Sequence, residues 1–226
     1  MSSVVPCLLD GRNLHGTVIT ADALHTLKKT ASLILAQDGA YLMVLKKNQG
    51  TLYEFVDLLF RLPAHPADHE VWNQAGPISE KGHGRLSTRT LISGAAHIED
   101  VDWPGVAQVM RRECERINLK TGKVTREVSY GLTSLRVDQA SAAELEALWR
   151  GHWTIENRVH YVRDVSFGED AGHAAAGSTA HALASVRNAV LEMFRQAGWR
   201  WVPDALAHYG ASVRRALTLV GLSIST

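Results

Sequence analysis

The apolar positions change period along the chain, and each change marks an element. Thr17-Val18-Ile19-Thr20-Ala21 is a β-branched run that predicts a short buried strand. From Ala23 to Gln37 the period turns helical, with Leu24, Leu27, Ala31 and Leu35 on one face. Gly39 stands where the residue after a helix C-cap belongs. Ala40–Leu45 is apolar throughout and predicts a second buried strand. Strand, helix and strand in that order predict a βαβ unit with parallel neighbours and a right-handed crossover. Asp22 then falls at the carboxyl end of a parallel strand, where open α/β sheets place their ligands.

Thr51–Phe60 predicts a short helix stopped by Pro63, and residues 63–84, a mixture of Pro, His, Gly and charge, predict a loop. Leu86–Ile92 alternates, and two further strand candidates, Val109–Ile117 and Val124–Leu132, flank Lys120-Thr121-Gly122-Lys123. Residues 85–135 therefore read as β-rich, although Val106–Arg116 also fits a helix. Ser141 and Glu144 match a capping box. The helix they open is expected to end near Val162, with Leu145, Leu148, His152, Ile155, Val159 and Val162 facing inward. After a Gly-rich break at Gly168–Gly177, Ser178–Ala197 predicts another amphipathic helix, with Leu183, Val186, Val190 and Met193 inward. One last short helix is expected between Asp204 and Leu219.

Composition narrows the classes. At 226 residues, the chain is expected to form one core with an insertion or appendage. Lys plus Arg is 24 against 23 for Asp plus Glu, which excludes a globally basic nucleic-acid binder and leaves a local basic groove open. No apolar run is long enough for a transmembrane span, and Met1–Asp10 lacks the basic start of a signal peptide. The expectation is a cytoplasmic chain with no membrane partner, Cys7 and Cys114 remaining free thiols.

The polar chemistry gathers at two places. Glu156 flanks the apolar stripe of its helix, with His152 and His160 four residues to either side, Trp149 and Trp153 upstream and Arg163 downstream. A half-sheltered carboxylate bracketed by basic groups suits metal binding or acid–base work; the spacing alone leaves a surface glutamate equally open. The eight-residue separation of His152 and His160 does not suit zinc. Asp22 alone fits a helix N-cap as readily as a ligand. Together, two carboxylates on different elements of an α/β core can bridge Mg²⁺ for phosphoryl transfer.

Several segments in order resemble the DDE transposases of bacterial insertion sequences. They are Thr20-Ala21-Asp22-Ala23-Leu24-His25-Thr26, Lys46-Lys47-Asn48-Gln49, Lys81-Gly82-His83-Gly84-Arg85, Arg150-Gly151-His152-Trp153-Thr154-Ile155-Glu156-Asn157 and Asp164-Val165-Ser166-Phe167-Gly168-Glu169-Asp170. The similarity is to the class with a Tyr-x2-Arg-x3-Glu-x6-Lys signature, whose positions here hold Trp149, His152, Glu156 and Arg163. It implies an α/β, RNase H-like core with a β-rich insertion and C-terminal helices, divided as 1–84, 85–135 and 136–226. It implies metal-dependent phosphodiester cleavage and strand transfer. Asp22 and Glu156 match the second and third catalytic carboxylates and would ligate Mg²⁺ or Mn²⁺. Double-stranded DNA is the implied partner, and a homodimer is a further one. Lys46, Lys47, His83, Arg85, Arg150 and Arg163 would hold phosphate, and Asn48, Gln49, His152, Trp153 and Asn157 would orient DNA or the catalytic helix. Arg111-Arg112 and Arg214-Arg215 are weaker phosphate candidates. The expected location is the bacterial cytoplasm, at the nucleoid when DNA is bound.

Two departures shape the expectation. Two positions after Arg85, where one subgroup carries an acid, stands Ser87. The family's first Asp lies on the first strand, well upstream of the second. Asp10 cannot supply it, because the 11 residues before Asp22 cannot make the intervening strands and helix. The chain is thus expected to be N-terminally truncated, with the first strands missing, metal binding weakened and turnover lost. The alternatives are an inactive DNA-binding or interfering remnant and an unrelated metal-dependent hydrolase.

Overall fold

The computed structural model describes residues 4–62, 72–82, 84–95, 97–155, 162–168 and 178–222, and the side chains of 4–6, 153–155, 163, 178 and 180 lie outside the description. Two compact units are present, Met1–His152 and Trp153–Thr226. The boundaries expected at 84/85 and 135/136 both fall inside the first of these.

The first unit is built on one six-stranded sheet. After a short helix α1 (Val4–Leu9) come β1 (Val18–Ala21), α2 (Lys28–Ala36), β2 (Ala40–Leu45) and α3 (Gly50–Arg61). Four long segments follow: β3 (Trp72–Gly82), β4 (Arg85–Gly94), β5 (Gln108–Asn118) and β6 (Val124–Thr133), and then α4 (Ala142–Ile155). The strand order is β1-β2-β6-β5-β4-β3. β1 and β2 are parallel, Val18 opposite Ala40 and Ala21 opposite Met43, and every other pair is antiparallel. β6 pairs with β2, so the β-rich stretch continues the same sheet. β1 is an edge, bonded to β2 alone among the described strands.

Helices cover both faces. On one, Ala31 and Ile34 of α2 and Val56 and Leu59 of α3 pack with Tyr41, Met43, Leu45, Val109 and Leu132. On the other, Leu145 and Trp149 of α4 pack with Leu42, Leu91 and Met110. β2 is sandwiched between the two layers, which is why it reads as an unbroken apolar run.

Several expectations change. Residues 72–82 are a strand, not part of a loop. β3 is the far edge, with Ala75 its one buried side chain, and Pro77 sits in a bulge between Ala75 and Ile78. A solvated edge carries no apolar alternation, and edge and bulge are where proline is tolerated. α2 starts at Lys28, because Asp22–Leu27 form a turn, and Leu24 is exposed. Its left-handed residue is Asp38 (φ 63°) rather than Gly39. Asp38 and Gly39 N–H donate to the Leu35 and Ile34 carbonyls, a Schellman ending. Gly39 serves close packing instead, since a Cβ there would lie 2.8 Å from that of Leu14.

α4 opens with the capping box. The Ser141 backbone N–H donates to the Glu144 carboxylate at 2.9 Å, and the Glu144 N–H returns to Ser141 Oγ at 3.4 Å. Among its described side chains the buried ones are Ala142, Leu145, Glu146 and Trp149, whereas Leu148 is only partly buried. Trp149 rests on Gly131 of β6, where a Cβ would come within 2.8 Å of the indole. Gly131→Ala is expected to destabilise the unit by about 1–3 kcal/mol through overpacking, read as a lower urea midpoint.

The second unit contains one turn of π-helix at Val162–Ser166, then α5 (Ser178–Gln196), α6 (Val202–Gly210) and α7 (Val213–Leu219). Its core holds Val162, Leu191, Phe194, Val202 and Ala205. Leu183 and Val186, expected inward, are exposed. The single helix expected over 204–219 is two, parted where Ser212 Oγ caps α7 by accepting from Arg215 N–H. Among the described residues no helix is long and apolar enough to cross a membrane.

Candidate functional site

Three segments meet at the carboxyl end of the parallel pair. The first is the turn after β1. Asp22 is exposed, and its Oδ1 accepts from the N–H groups of Leu24 at 3.2 Å and His25 at 3.3 Å. The second oxygen, Oδ2, has no hydrogen-bond partner among the described residues. Thr26, buried, donates from one hydroxyl toward both the Asp22 carbonyl (2.9 Å) and the Val44 carbonyl of β2 (2.8 Å).

The second segment, Lys46–Gln49, follows β2. Gln49 Nε2 donates to the carbonyls of Ala23 (3.0 Å) and Thr26 (2.9 Å), and Asn48 Nδ2 also donates to Ala23 (3.0 Å). Gln49 Oε1 accepts from Lys46 N–H at 3.3 Å. These amides clamp the Asp22 turn from the neighbouring strand. Lys46 and Lys47 are exposed and have no ion pair among the described residues. Gln49→Ala leaves two sheltered carbonyls without this donor. The expected cost is about 1–3 kcal/mol, with faster hydrogen exchange at the Leu24 and His25 amides.

The third segment is the end of α4. His152 Nδ1 lies 3.0 Å from Thr20 Oγ1, two residues before Asp22. The helix is held at three further places. Arg112 of β5 makes a two-pronged pair with Glu146 (2.7 and 2.8 Å) and lies over the Trp149 ring at 5.7 Å. Trp149 covers Gly131. Arg150 reaches Glu80 of β3 at 2.7 Å, where Arg89 also binds at 3.0 Å.

The two arginines hold the Glu80 carboxyl below its usual value of 4.5, through hydrogen bonds from Arg89 first and then Arg150. A carboxylate with a depressed pKa contributes stability above its unfolded value and loses it as pH falls through the folded one. Arg150→Gln is therefore expected to lower the melting temperature at pH 7. That difference should narrow below pH 4.5 and close once Glu80 is protonated.

Of the residues picked from sequence, Asp22, Lys46, Asn48, Gln49 and His152 are brought together here. Arg85 is exposed at the start of β4, and Arg150 is turned to Glu80. Glu156, Asn157 and His83 lie outside the described residues, as do the side chains of Trp153 and Arg163. Arg112 and Arg111 are paired with Glu146 and Glu113. Thr20 and Thr26, part of the first motif but given no role from it, and Glu80 also take part in the site.

Asp22 fits a divalent cation: its free carboxylate oxygen is a hard donor at an exposed sheet end. Among the described residues, the one trio that could gather around an ion lies elsewhere, the exposed His97, Glu99 and Asp100.

A family model described as Transposase DDE domain matches residues 3–192. The chain belongs to this family. Similar proteins include YncI of Escherichia coli O157:H7 and the H repeat-associated YhhI of Escherichia coli K12, both carrying transposase names. Each is 26% identical over 198 residues, which cover 85% and 84% of this chain and 49% and 50% of those proteins. A protein from the dhlA 3′ region of Xanthobacter autotrophicus is 31% identical over 117 residues, half of this chain and 38% of its own. The chain spans about half the length of YncI and YhhI. The six-stranded α/β unit with its Asp22 turn lies within the residues that the family model matches.

Proposed function

We propose that this chain carries two of the three metal-binding carboxylates of a transposase that cleaves and joins double-stranded DNA. The observation behind this reading is the convergence at the end of β1. The Asp22 turn is braced from β2, and α4 is pinned beside Thr20 by His152, four residues before Glu156 in the sequence. A parallel β1–β2 pair with an acid at its carboxyl end and a helix across the sheet supports an RNase H-like core. In that core, 1–84 and 136–226 are the two parts and 85–135 the insertion.

A divalent cation, Mg²⁺ or Mn²⁺, supplies Lewis-acid stabilisation of charge on the phosphodiester oxygens when bound. The chain's own residues do the rest. Asp22 and Glu156 hold the cation, Gln49 and Asn48 fix the turn, and His152 fixes the helix. Lys46, Lys47 and Arg85 attract the DNA backbone, together with His83 and Arg163. The third carboxylate would come from a strand on the open edge of β1. Val18 and Thr20 there border an apolar groove of about 610 Å³ with Ala147, Leu148 and Gly151 of α4. Without such a strand the two-metal arrangement is incomplete. That open edge also favours a second reading, an inactive remnant that binds DNA or interferes with a complete transposase.

The test extends the chain upstream along its own gene and assays both forms for Mg²⁺- or Mn²⁺-dependent DNA nicking. Nicking by the extended form alone, abolished by Asp22→Ala, supports the first reading. Asp22-dependent turnover by the shorter chain contradicts its incompleteness. An extended form that binds DNA without cutting it leaves the remnant.

A further inference from the structure

The C-terminal helices carry a cationic pocket that the Asp22 site does not use. It lies among α5, α6 and α7, measures about 610 Å³, and is lined by Gln196, His208, Arg214, Arg215 and Thr218 above Met193. Among the described residues no carboxylate lines it. Gln196 Nε2 donates to Glu192 at 3.3 Å, and Glu192 and Asp204 are the two acids of residues 178–222, against five arginines.

Arg214 and Arg215 differ from the paired arginines of the first unit. Arg89, Arg112, Arg126 and Arg150 each face a carboxylate. Arg214 and Arg215 face none among the described residues. Arg215 is steered instead by a 3.4 Å bond from Nη1 to the His208 carbonyl, which leaves most of its donor fork open. His208 is itself seated 5.0 Å from the Trp199 ring. Two guanidinium forks beside an imidazole, an amide and a hydroxyl match the planar, multi-oxygen geometry of phosphate. Gln196, Arg214, Arg215 and Thr218 are all exposed, so the phosphate is met at the surface, as on a nucleic-acid backbone, rather than enclosed with a whole nucleotide.

We propose that this pocket is a second DNA-binding site, gripping phosphodiester oxygens of a duplex apart from the Asp22 turn. The choice of DNA as the phosphate source rests on the transposase reading; the pocket rests on its own residues.

The experiment measures binding of the full chain to a 30-base-pair duplex between 50 and 200 mM salt. The variants are Arg214→Gln/Arg215→Gln, Thr218→Glu and Lys46→Gln/Lys47→Gln. Two phosphate contacts correspond to a salt slope of about 1.8, so the arginine pair is expected to flatten the slope by about that amount and weaken binding at 50 mM about tenfold. Thr218→Glu removes no arginine yet places a carboxylate in the pocket, and it is expected to weaken binding in the same direction. Melting temperatures of both variants near that of the parent separate a lost contact from a lost fold. An unchanged slope and affinity in both variants, or no duplex binding by the parent, overturns the proposal. Tight binding of an equally long RNA duplex with none of DNA overturns it as well. A flattened slope with no metal-dependent nicking by the extended form keeps the pocket and removes the cleavage reading, leaving the remnant. Nicking with an unaltered slope does the reverse.

Discussion

Arg112→Ala is expected to destabilise the first unit by about 3–5 kcal/mol, the largest effect of any single change away from the Asp22 turn. Arg112 is 12% and Glu146 3% exposed, and the guanidinium meets both carboxylate oxygens. Removing the cation strands a buried anion against Trp149 and the sheet. The pair is not itself a large net gain, because burying two charges costs about as much as their attraction returns. Hence Arg112→Met/Glu146→Leu should recover most of the loss, whereas either single change should not. Urea unfolding of the four forms at pH 7 checks this. A cost under about 1 kcal/mol for Arg112→Ala would mean that Glu146 finds water or another partner. The arrangement also explains why Arg112 makes a poor DNA contact: its fork is already filled.

Asp22→Asn is expected to lower metal-dependent nicking by the extended protein by about a thousandfold, corresponding to about 4 kcal/mol of lost transition-state stabilisation. Asparagine keeps a side-chain oxygen in the position of Oδ1, so the N–H groups of Leu24 and His25 retain their acceptor. The turn, the Gln49 clamp and the fold should persist, and only the charge proposed to hold a cation disappears. Parallel measurements of melting temperature and nicking rate check the separation. A large fall in melting temperature would assign Asp22 to the turn rather than to the chemistry, which is the N-cap-like alternative left open by the sequence.

The βαβ start was legible because burial there is written in the residues. β2 is enclosed on both faces, and α2 has one apolar stripe against it. β3 was illegible for the converse reason: an exposed edge with a proline in its bulge has no pattern to read. The inner face of α4 was partly misread. Leu148 was the natural choice, yet Glu146 goes inside because Arg112, 34 residues away in sequence, meets it there. No local pattern announces such a pairing. At the site, the order of motifs picked out Asp22 and Asn48-Gln49. What Asn48 and Gln49 do depends on where the Ala23 and Thr26 carbonyls point, which only the fold decides. Amides that a DNA-contact reading would aim outward are turned inward onto the acidic turn.

Asp22 and Glu156 are proposed to serve one cation. The most direct test is a Mn²⁺ titration of the full chain, followed by electron paramagnetic resonance, for the parent, Asp22→Asn, Glu156→Gln and the double variant. The account predicts measurable binding by the parent and about a tenfold or greater loss in each single variant, one to two carboxylate ligands being the usual protein share of such a site. The parent should bind one Mn²⁺ that both carboxylates share, and the double variant should bind no better than the weaker single. Equal Mn²⁺ affinity in all four forms, or two Mn²⁺ in the parent of which each single variant loses one and keeps the other at parental affinity, would contradict it.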